Sequence, residues 1–453
     1  MKRWLSLLII LIAITLQAQQ TDVKPNRAAP VILPNVSPEM RSPGYWISRH
    51  PTPDRLVMDA QAIERFNSRI RRERGTVTAI WEHSTAISGR TIRTQINNLH
   101  NYVKGMRLHD AEGNRVTPEY WQELFRLENP AAIPSSIRVR FALASAFAHQ
   151  RLAPSLANLN ITPLDTDFDE LQNSGYDIGS PIVLYHNSRD GNWAFGATST
   201  TSGWFRLQDL SIVSREDWRN FQRSTDRVVC LSAKSDIWLD EAATRFLGSV
   251  RMGMSFPYQG ETDSYYIVKM PVRTSDGASG LQNAYIAKSD ARRGFLPYTV
   301  RNVYTQAFKM LNHSYGWGDM RGDWDCSSML IHIYSCFGIR LPRNGLSQAV
   351  AGKLKHEFRG TEADSTKYAT LLSKATGGVS MLQMKGHIML YLGEVNGIPY
   401  AFHNTSGFRS PAPDNMNYVH SINRTVVSDL ELGRGSIKTS LIERILRISD
   451  ISE

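Results

Sequence analysis

The spacing of apolar positions changes character along the chain, and the changes divide it. From Pro53 the pattern is helical: Asp59 stands where an N-cap belongs, and Ile63, Phe66 and Ile70 follow at intervals of three and four. A second helix is expected from Pro118, with Thr117 as its cap and the proline at the first helical position. Residues 44–136 therefore read as an α-rich segment. Between 137 and 214 the period shortens. Runs such as Pro181-Ile182-Val183-Leu184-Tyr185 and Trp193-Ala194-Phe195-Gly196 alternate with turns such as Arg189-Asp190-Gly191-Asn192, which predicts a small barrel of short strands. Residues 223–295 repeat the style with Val228–Leu231, Ser264–Met270 and Tyr285–Ala287, a second barrel. From 296 onwards helix and strand mix. A helix is expected over 298–312 and another where Met329, Leu330, Ile333 and Phe337 keep helical spacing. An alternating strand from His387 to Leu392 then turns at Asn396-Gly397 towards Pro399–His403. The fold class is α+β.

The two ends of the first forty residues differ again. Lys2 and Arg3, the apolar run Leu5–Leu16 and Leu16-Gln17-Ala18 have the layout of a secretory signal over residues 1–18, too short to span ~30 Å of bilayer. Five prolines between Pro25 and Pro43 predict an extended linker over 19–43. The expectation is an exported, periplasmic or extracellular, monomeric protein with no stable membrane insertion. The formal charge of +10 falls to +8 once Lys2 and Arg3 leave, which favours anionic polymers of the cell surface. Export argues against nucleic acid as partner and makes Arg69-Ile70-Arg71-Arg72-Glu73-Arg74 a solvated helix face. Only Cys230, Cys326 and Cys336 occur. If Cys326 and Cys336 share a helix, ten residues separate them by ~15 Å, beyond the ~7 Å a disulfide allows. Cys230 and Cys336 read as core.

Cys326 is different. With Asp325 as N-cap it occupies the first turn of a helix, where unpaired amides and the helix dipole favour an anion, so its thiol is expected to be acidified. The aromatic, glycine-rich Tyr315-Gly316-Trp317-Gly318 lies just upstream. The base is expected from the hairpin, as His387, with His403 to orient it and Asn404 as the substitute. Register decides. A two-residue loop at Asn396-Gly397 pairs Val395 with Ile398 and His403 with Leu390, sending His403 to the face opposite His387. A three- or five-residue loop centred on Asn396 puts His403 across from Met389, diagonal to His387. The latter is expected, because only it lets the histidines cooperate. No spacing suggests a metal site, and no cofactor is called for.

Tyr315-Gly-Trp-Gly, Asp325-Cys-Ser-Ser, Gly386-His-Ile-Met-Leu-Tyr-Leu-Gly and Phe402-His-Asn resemble the NlpC-type cysteine peptidases of bacterial cell walls, a papain-like family with a Cys-His-His triad. Ser42-Pro-Gly-Tyr-Trp-Ile, Phe168-Asp-Glu-Leu-Gln, Arg189-Asp-Gly-Asn-Trp and Ser202-Gly-Trp are similar to the subset with an N-terminal stabilising segment and two bacterial SH3-like barrels. The resemblance implies a papain-like catalytic domain over 296–453, barrels over 137–214 and 223–295, and cleavage of peptidoglycan stem peptides between γ-D-glutamate and the diamino acid. It further implies Cys326, His387 and His403 as catalytic residues. Recognition of a free L-alanine ammonium would fall to Asp325 and Ser327, with Glu170 and Trp204 of the first barrel, and Trp317 beside them. Two departures stand out: Ser328 replaces the commoner glycine, and the interval from His387 to His403 is longer than usual. The rival expectations are a hydrolase of intact wall anchored by its barrels, and a wall-binding scaffold without activity.

Overall fold

The structure, a computed structural model, describes residues 23–274, 277–411 and 417–453. The expected signal segment, 1–18, lies outside the described residues. Among those described, no helix is long and apolar enough to cross a membrane.

The chain forms two compact units. Of the described residues, the first draws on 23–77, Leu296–Tyr315 and those from Asp323 onwards. Its sheet contains β1 (Val23–Ala28), β2 (Lys353–Glu357), β3 (Ser380–Met384), β4 (His387–Val395), β5 (Ile398–Pro411), β6 (Asn417–Asp429) and β7 (Ile445–Asp450). Their order in space is β1-β6-β5-β4-β3-β7-β2. The proline-rich stretch is thus not wholly irregular, because β1 adds to the sheet edge in parallel with β6, its register shifting between Lys24 and Arg27. An edge strand tolerates a proline because half of its N–H groups have no ladder partner to lose. The unit's helices include α1 (Pro43–Arg49), α2 (Ala60–Arg69), α3 (Val300–Phe308), α4 (Cys326–Ser335), α5 (Gly345–Ala351) and α6 (Asp364–Lys374). Asp59 caps α2 as its sequence predicts, accepting from the Ala62 amide at 2.8 Å. The basic stretch that follows is only partly solvated: Ile70 is fully buried and Arg69 donates to the Ala351 carbonyl at 3.1 Å. Helix α3 is shorter than the expected 298–312, beginning after the Thr299 cap.

The second unit comprises Thr78–Phe295 and Gly316–Gly322. The α-rich stretch 44–136 therefore contributes to both units. Helices Gly89–Gly105 and Pro118–Glu128 belong to the second, the latter capped by Thr117 as expected. Ile92, Ile96, Leu99, Trp121 and Leu124 on these helices share one apolar core with Phe195 and Trp204 of the adjoining sheet and with Leu171, just ahead of one of its strands. That sheet runs, in spatial order, Leu210–Val213, Arg140–Ala144, Pro181–Asn187, Trp193–Ala197, Ser202–Arg206, Ala148–Arg151 and Gln172–Tyr176. The other is ordered Phe246–Arg251, Lys234–Trp238, Ser279–Ala287, Tyr265–Arg273, Ser255–Glu261, Arg227–Cys230 and Ala291–Arg293. Cys230 is fully buried within its strand, and burial pushes its thiol up to about 12.

Candidate active site

Helix α4 begins in a closed capping box. The Asp325 carboxylate accepts from the amides of Ser327 (3.0 Å) and Ser328 (2.8 Å), while the Ser328 hydroxyl accepts from the Asp325 amide at 2.9 Å. A glycine at 328 could not return that bond, so the serine fixes the turn that carries Cys326. The loop after α4 adds a guanidinium. Arg343 donates to both Asp325 oxygens (3.2 and 2.7 Å) and to the Ser327 hydroxyl (2.9 Å), and Gln348 fastens that loop to the Ser327 and Pro342 carbonyls. Asp325 is thus committed to its helix and to Arg343, a partner the sequence reading did not include.

The hairpin resolves the register question in an unexpected way. Asn396 and Gly397 both have positive φ (53° and 77°) and close a two-residue turn, with Val395 opposite Ile398. The longer loop expected above does not form. A bulge does its work instead: pairing shifts between Tyr391 and Gly393, so that Leu390 meets Phe402, and the same register carries His403 opposite Met389. The extra residue is Leu392, whose carbonyl accepts from the Tyr304 hydroxyl of α3 at 2.5 Å. Gly393, at φ 132°, supplies backbone that side chains rarely adopt. A glycine inside an apolar alternation was the available signal.

With that register, His387 Nε2 lies 2.9 Å from His403 Nδ1, and His403 Nε2 lies 3.0 Å from the Ser428 hydroxyl on β6. His403 is the histidine's partner. Asn404, on the other face of β5, donates instead to the Trp324 and Ser314 carbonyls at 3.0 and 3.2 Å. Cys326 adjoins this chain through the backbone N–H of Ile388, which is directed at its sulfur.

The electrostatics correct the expectation of an acidified thiol. Cys326 keeps a partly exposed edge, yet the packed surroundings and then the Asp325 carboxylate push it up to about 12, against the Ile388 amide and Arg343. Burial, with His403 and Arg444, holds His387 well below the usual histidine range. Burial and then Arg444 lower His403 to about 3. The Ser327 amide at the helix N-terminus does favour the thiolate, but desolvation and the Asp325 carboxylate, which also holds the 327 and 328 amides, outweigh it.

The remaining candidates belong to the second unit. Trp204 is fully buried between Phe195 (ring centroids 5.5 Å apart) and the helices, so it presents no surface to a ligand. Glu170 is half-buried; desolvation, then Asp169 and Asp165, raise its carboxyl to about 7. Trp317 packs edge-on against Phe168 at 5.4 Å.

Comparison with known proteins agrees with this architecture. A family described as SH3 domain (SH3b1 type) matches residues 157–206. An NlpC/P60 endopeptidase from Photobacterium damselae subsp. piscicida superimposes with a TM-score of 0.76 at 19% identity, covering 95% of this chain and 99% of that one. An NlpC/P60 family protein from Bacillus cereus ATCC 10987 aligns at a TM-score of 0.45 and 15% identity, over 69% of this chain and 100% of that one. No curated protein matches the chain. The chain has the α+β fold of the Photobacterium enzyme, with an SH3 domain in its second unit.

Proposed function

We propose that the chain is an exported cysteine endopeptidase that cleaves peptidoglycan stem peptides at the γ-D-glutamyl–diamino acid bond, acting on small muropeptides with a free N-terminal L-alanine. The observation that carries the chemistry is the chain His387–His403–Ser428 beside a first-turn cysteine. His387 can accept a proton at Nδ1 only if its Nε2–H donates to His403, whose own Nε2–H then donates to Ser428; the tautomers are assigned from that requirement. The resting pair is a neutral thiol and a neutral imidazole. Proton transfer from sulfur to Nδ1 therefore accompanies attack on the scissile carbonyl, which becomes a thioester as the same proton passes to the leaving amine. Water, deprotonated by His387, then releases the acyl group. The Cys326 amide, in the first turn of α4, suits the oxyanion.

The bond and the substrate rest on the resemblance and on Glu170. A carboxyl raised to about 7 by burial gains from a buried ammonium partner, whereas Asp325 is already matched by Arg343. The test is mass spectrometry of products from L-Ala-γ-D-Glu-diaminopimelate and from intact sacculi, with and without iodoacetamide. Release of L-Ala-γ-D-Glu from the tripeptide, abolished by alkylation, is expected. Cleavage of sacculi alone would favour a wall-anchored hydrolase, and cleavage of neither a scaffold.

A further inference from the structure

A buried ionic group that takes no part in this chemistry lies in the second unit. Arg251, Asp177 and Asp319 are each at most 3% exposed. The Arg251 Nε and Nη2 both meet Asp177 Oδ2 at 2.9 Å, its backbone amide donates to Asp177 Oδ1 at 2.9 Å, and Nη2 also donates to the Gly175 carbonyl at 3.1 Å. Nη1 faces Asp319 Oδ1 at 3.3 Å, and the guanidinium sits 5.1 Å above the Phe147 ring. The other Asp319 oxygen accepts from the Gly175 amide (3.3 Å) and the Ser174 hydroxyl (3.4 Å). One cation thus serves two buried carboxylates, one from the first barrel and one from Gly316–Gly322, the seven residues between Tyr315 and Asp323 that belong to this unit.

That segment needs holding. Gly318, Asp319, Arg321 and Gly322 all have left-handed backbone (φ 57°, 65°, 59° and 71°), and at the two non-glycine positions such conformations persist only where surroundings enforce them. The surroundings are close. A Cβ at Gly175 would stand 2.3 Å from Phe147 and 2.8 Å from Asp319, and one at Gly318 would stand 2.9 Å from Gln172, whose Nε2 donates to the Gly318 carbonyl at 2.8 Å.

We infer that Arg251, clamped between Asp177 and Asp319, is a latch that fixes the aromatic segment Trp317–Gly322 on the barrels and so determines where Trp317 stands. Arg251 and Asp319 are then positioning residues for Trp317. The kinetic consequence rests on the proposed peptidase; the structural one does not.

Trypsin reads the latch directly, because Arg321 is exposed within the segment. Asp319→Asn keeps the side chain's shape and removes its charge. In the full-length chain, cleavage after Arg321, mapped by mass spectrometry, is expected to quicken about a hundredfold over wild type, in line with the cost of breaking a buried ion pair. Arg251→Met is expected to behave alike, with Arg251→Lys partly restoring resistance. On the tripeptide, KM is expected to rise while kcat stays within about twofold and iodoacetamide modifies Cys326 at the wild-type rate, since the variant displaces Trp317, expected from the resemblance to contact substrate, and leaves the reacting groups alone. An Asp319→Asn chain nicked no faster than wild type, or one losing kcat at constant KM, overturns the inference. If that variant does not fold, hydrogen exchange on wild type decides. Amides of 318–322 as slow as those of Gln172–Tyr176 support the latch, and fast exchange refutes it. Should wild type cleave no peptide, the trypsin result still judges the latch, and the proposed function alone falls.

Discussion

At Cys326 burial and the Asp325 carboxylate favour the proton on sulfur, and this has a kinetic signature. With the thiol pushed up to about 12, the thiolate fraction grows about tenfold per pH unit through the accessible range. Iodoacetamide modification of the free enzyme is therefore expected to climb steadily from pH 6 to beyond pH 9; a plateau near neutrality would reveal a preformed ion pair and refute this resting state. The proposed turnover, by contrast, needs the His387 imidazole neutral, as burial, His403 and Arg444 favour. His403→Ala leaves His387 without its acceptor, and a loss in kcat of ~10²–10⁴ is expected with KM little changed. Glu170 makes stability depend on pH. Its carboxyl is raised to about 7, so it favours the folded state below the unfolded value of about 4.3 and loses that contribution as pH climbs through 7. Glu170→Gln should thus melt higher than wild type at pH 8, by about 1–3 kcal/mol after discounting for its partial exposure, and the advantage should vanish near pH 4. The same variant should raise KM for the free-amine tripeptide, and an unchanged KM would remove Glu170 from the substrate.

One residue of slippage decides whether His403 meets His387 or faces the other side of the sheet. The Asn396-Gly397 turn by itself sets the register that turns His403 away; the bulge at Leu392 undoes that by a single position, and Gly393 makes the bulge affordable. Gly393→Val denies φ 132° to the backbone. The strand must then strain, at about 1–3 kcal/mol, or slip back to the regular ladder, taking His403 off its partner. The expected outcome is at least a ~10²-fold loss of turnover with near-wild-type far-ultraviolet circular dichroism; activity within about threefold of wild type would show that the bulge does not set the register. Tyr304→Phe tests the same point more gently, because it orphans the Leu392 carbonyl. The hairpin also marks how far sequence carries. Turn chemistry at Asn396-Gly397 and the alternation from His387 are local and were legible. The bulge depends on a carbonyl finding Tyr304, which lies far away in the chain, and period counting has no term for it. Caps at Asp59, Thr117 and Asp325 were legible for the same local reason. Arg343, Ser428 and Arg444 were not, since each reaches the site only through tertiary folding.

Over the whole molecule the same limit appears as a difference between sequence order and spatial grouping. The chain alternates between its two units, so a stretch such as 44–136, uniform in its helical period, feeds both, and Gly316–Gly322 leaves the first unit for the second and returns. Trp204 shows why the residue type alone misleads: a tryptophan in a barrel strand reads as a ligand platform, but here helices cover it and make it core. The net charge, +10 in the full sequence and +8 without Lys2 and Arg3, is by contrast a property of the whole that needs no fold to be read. It acts at long range and is screened by ions, with a Debye length of about 10 Å at 0.1 M salt. Two substrates separate it from the chemistry. Intact sacculi present a dense anionic surface, and adsorption to them is expected to weaken severalfold between ~20 and ~300 mM salt, as diffuse attraction is screened. A small free tripeptide meets only the groups that bind it, so its kcat should be nearly flat over the same range and its KM should move only by the screening of the proposed Glu170–ammonium pair. If adsorption to sacculi persists undiminished at high salt, the barrels hold the wall by specific contacts rather than by charge, and the reading of a muropeptide enzyme merely drawn to its surroundings gives way to that of a hydrolase anchored on its polymer.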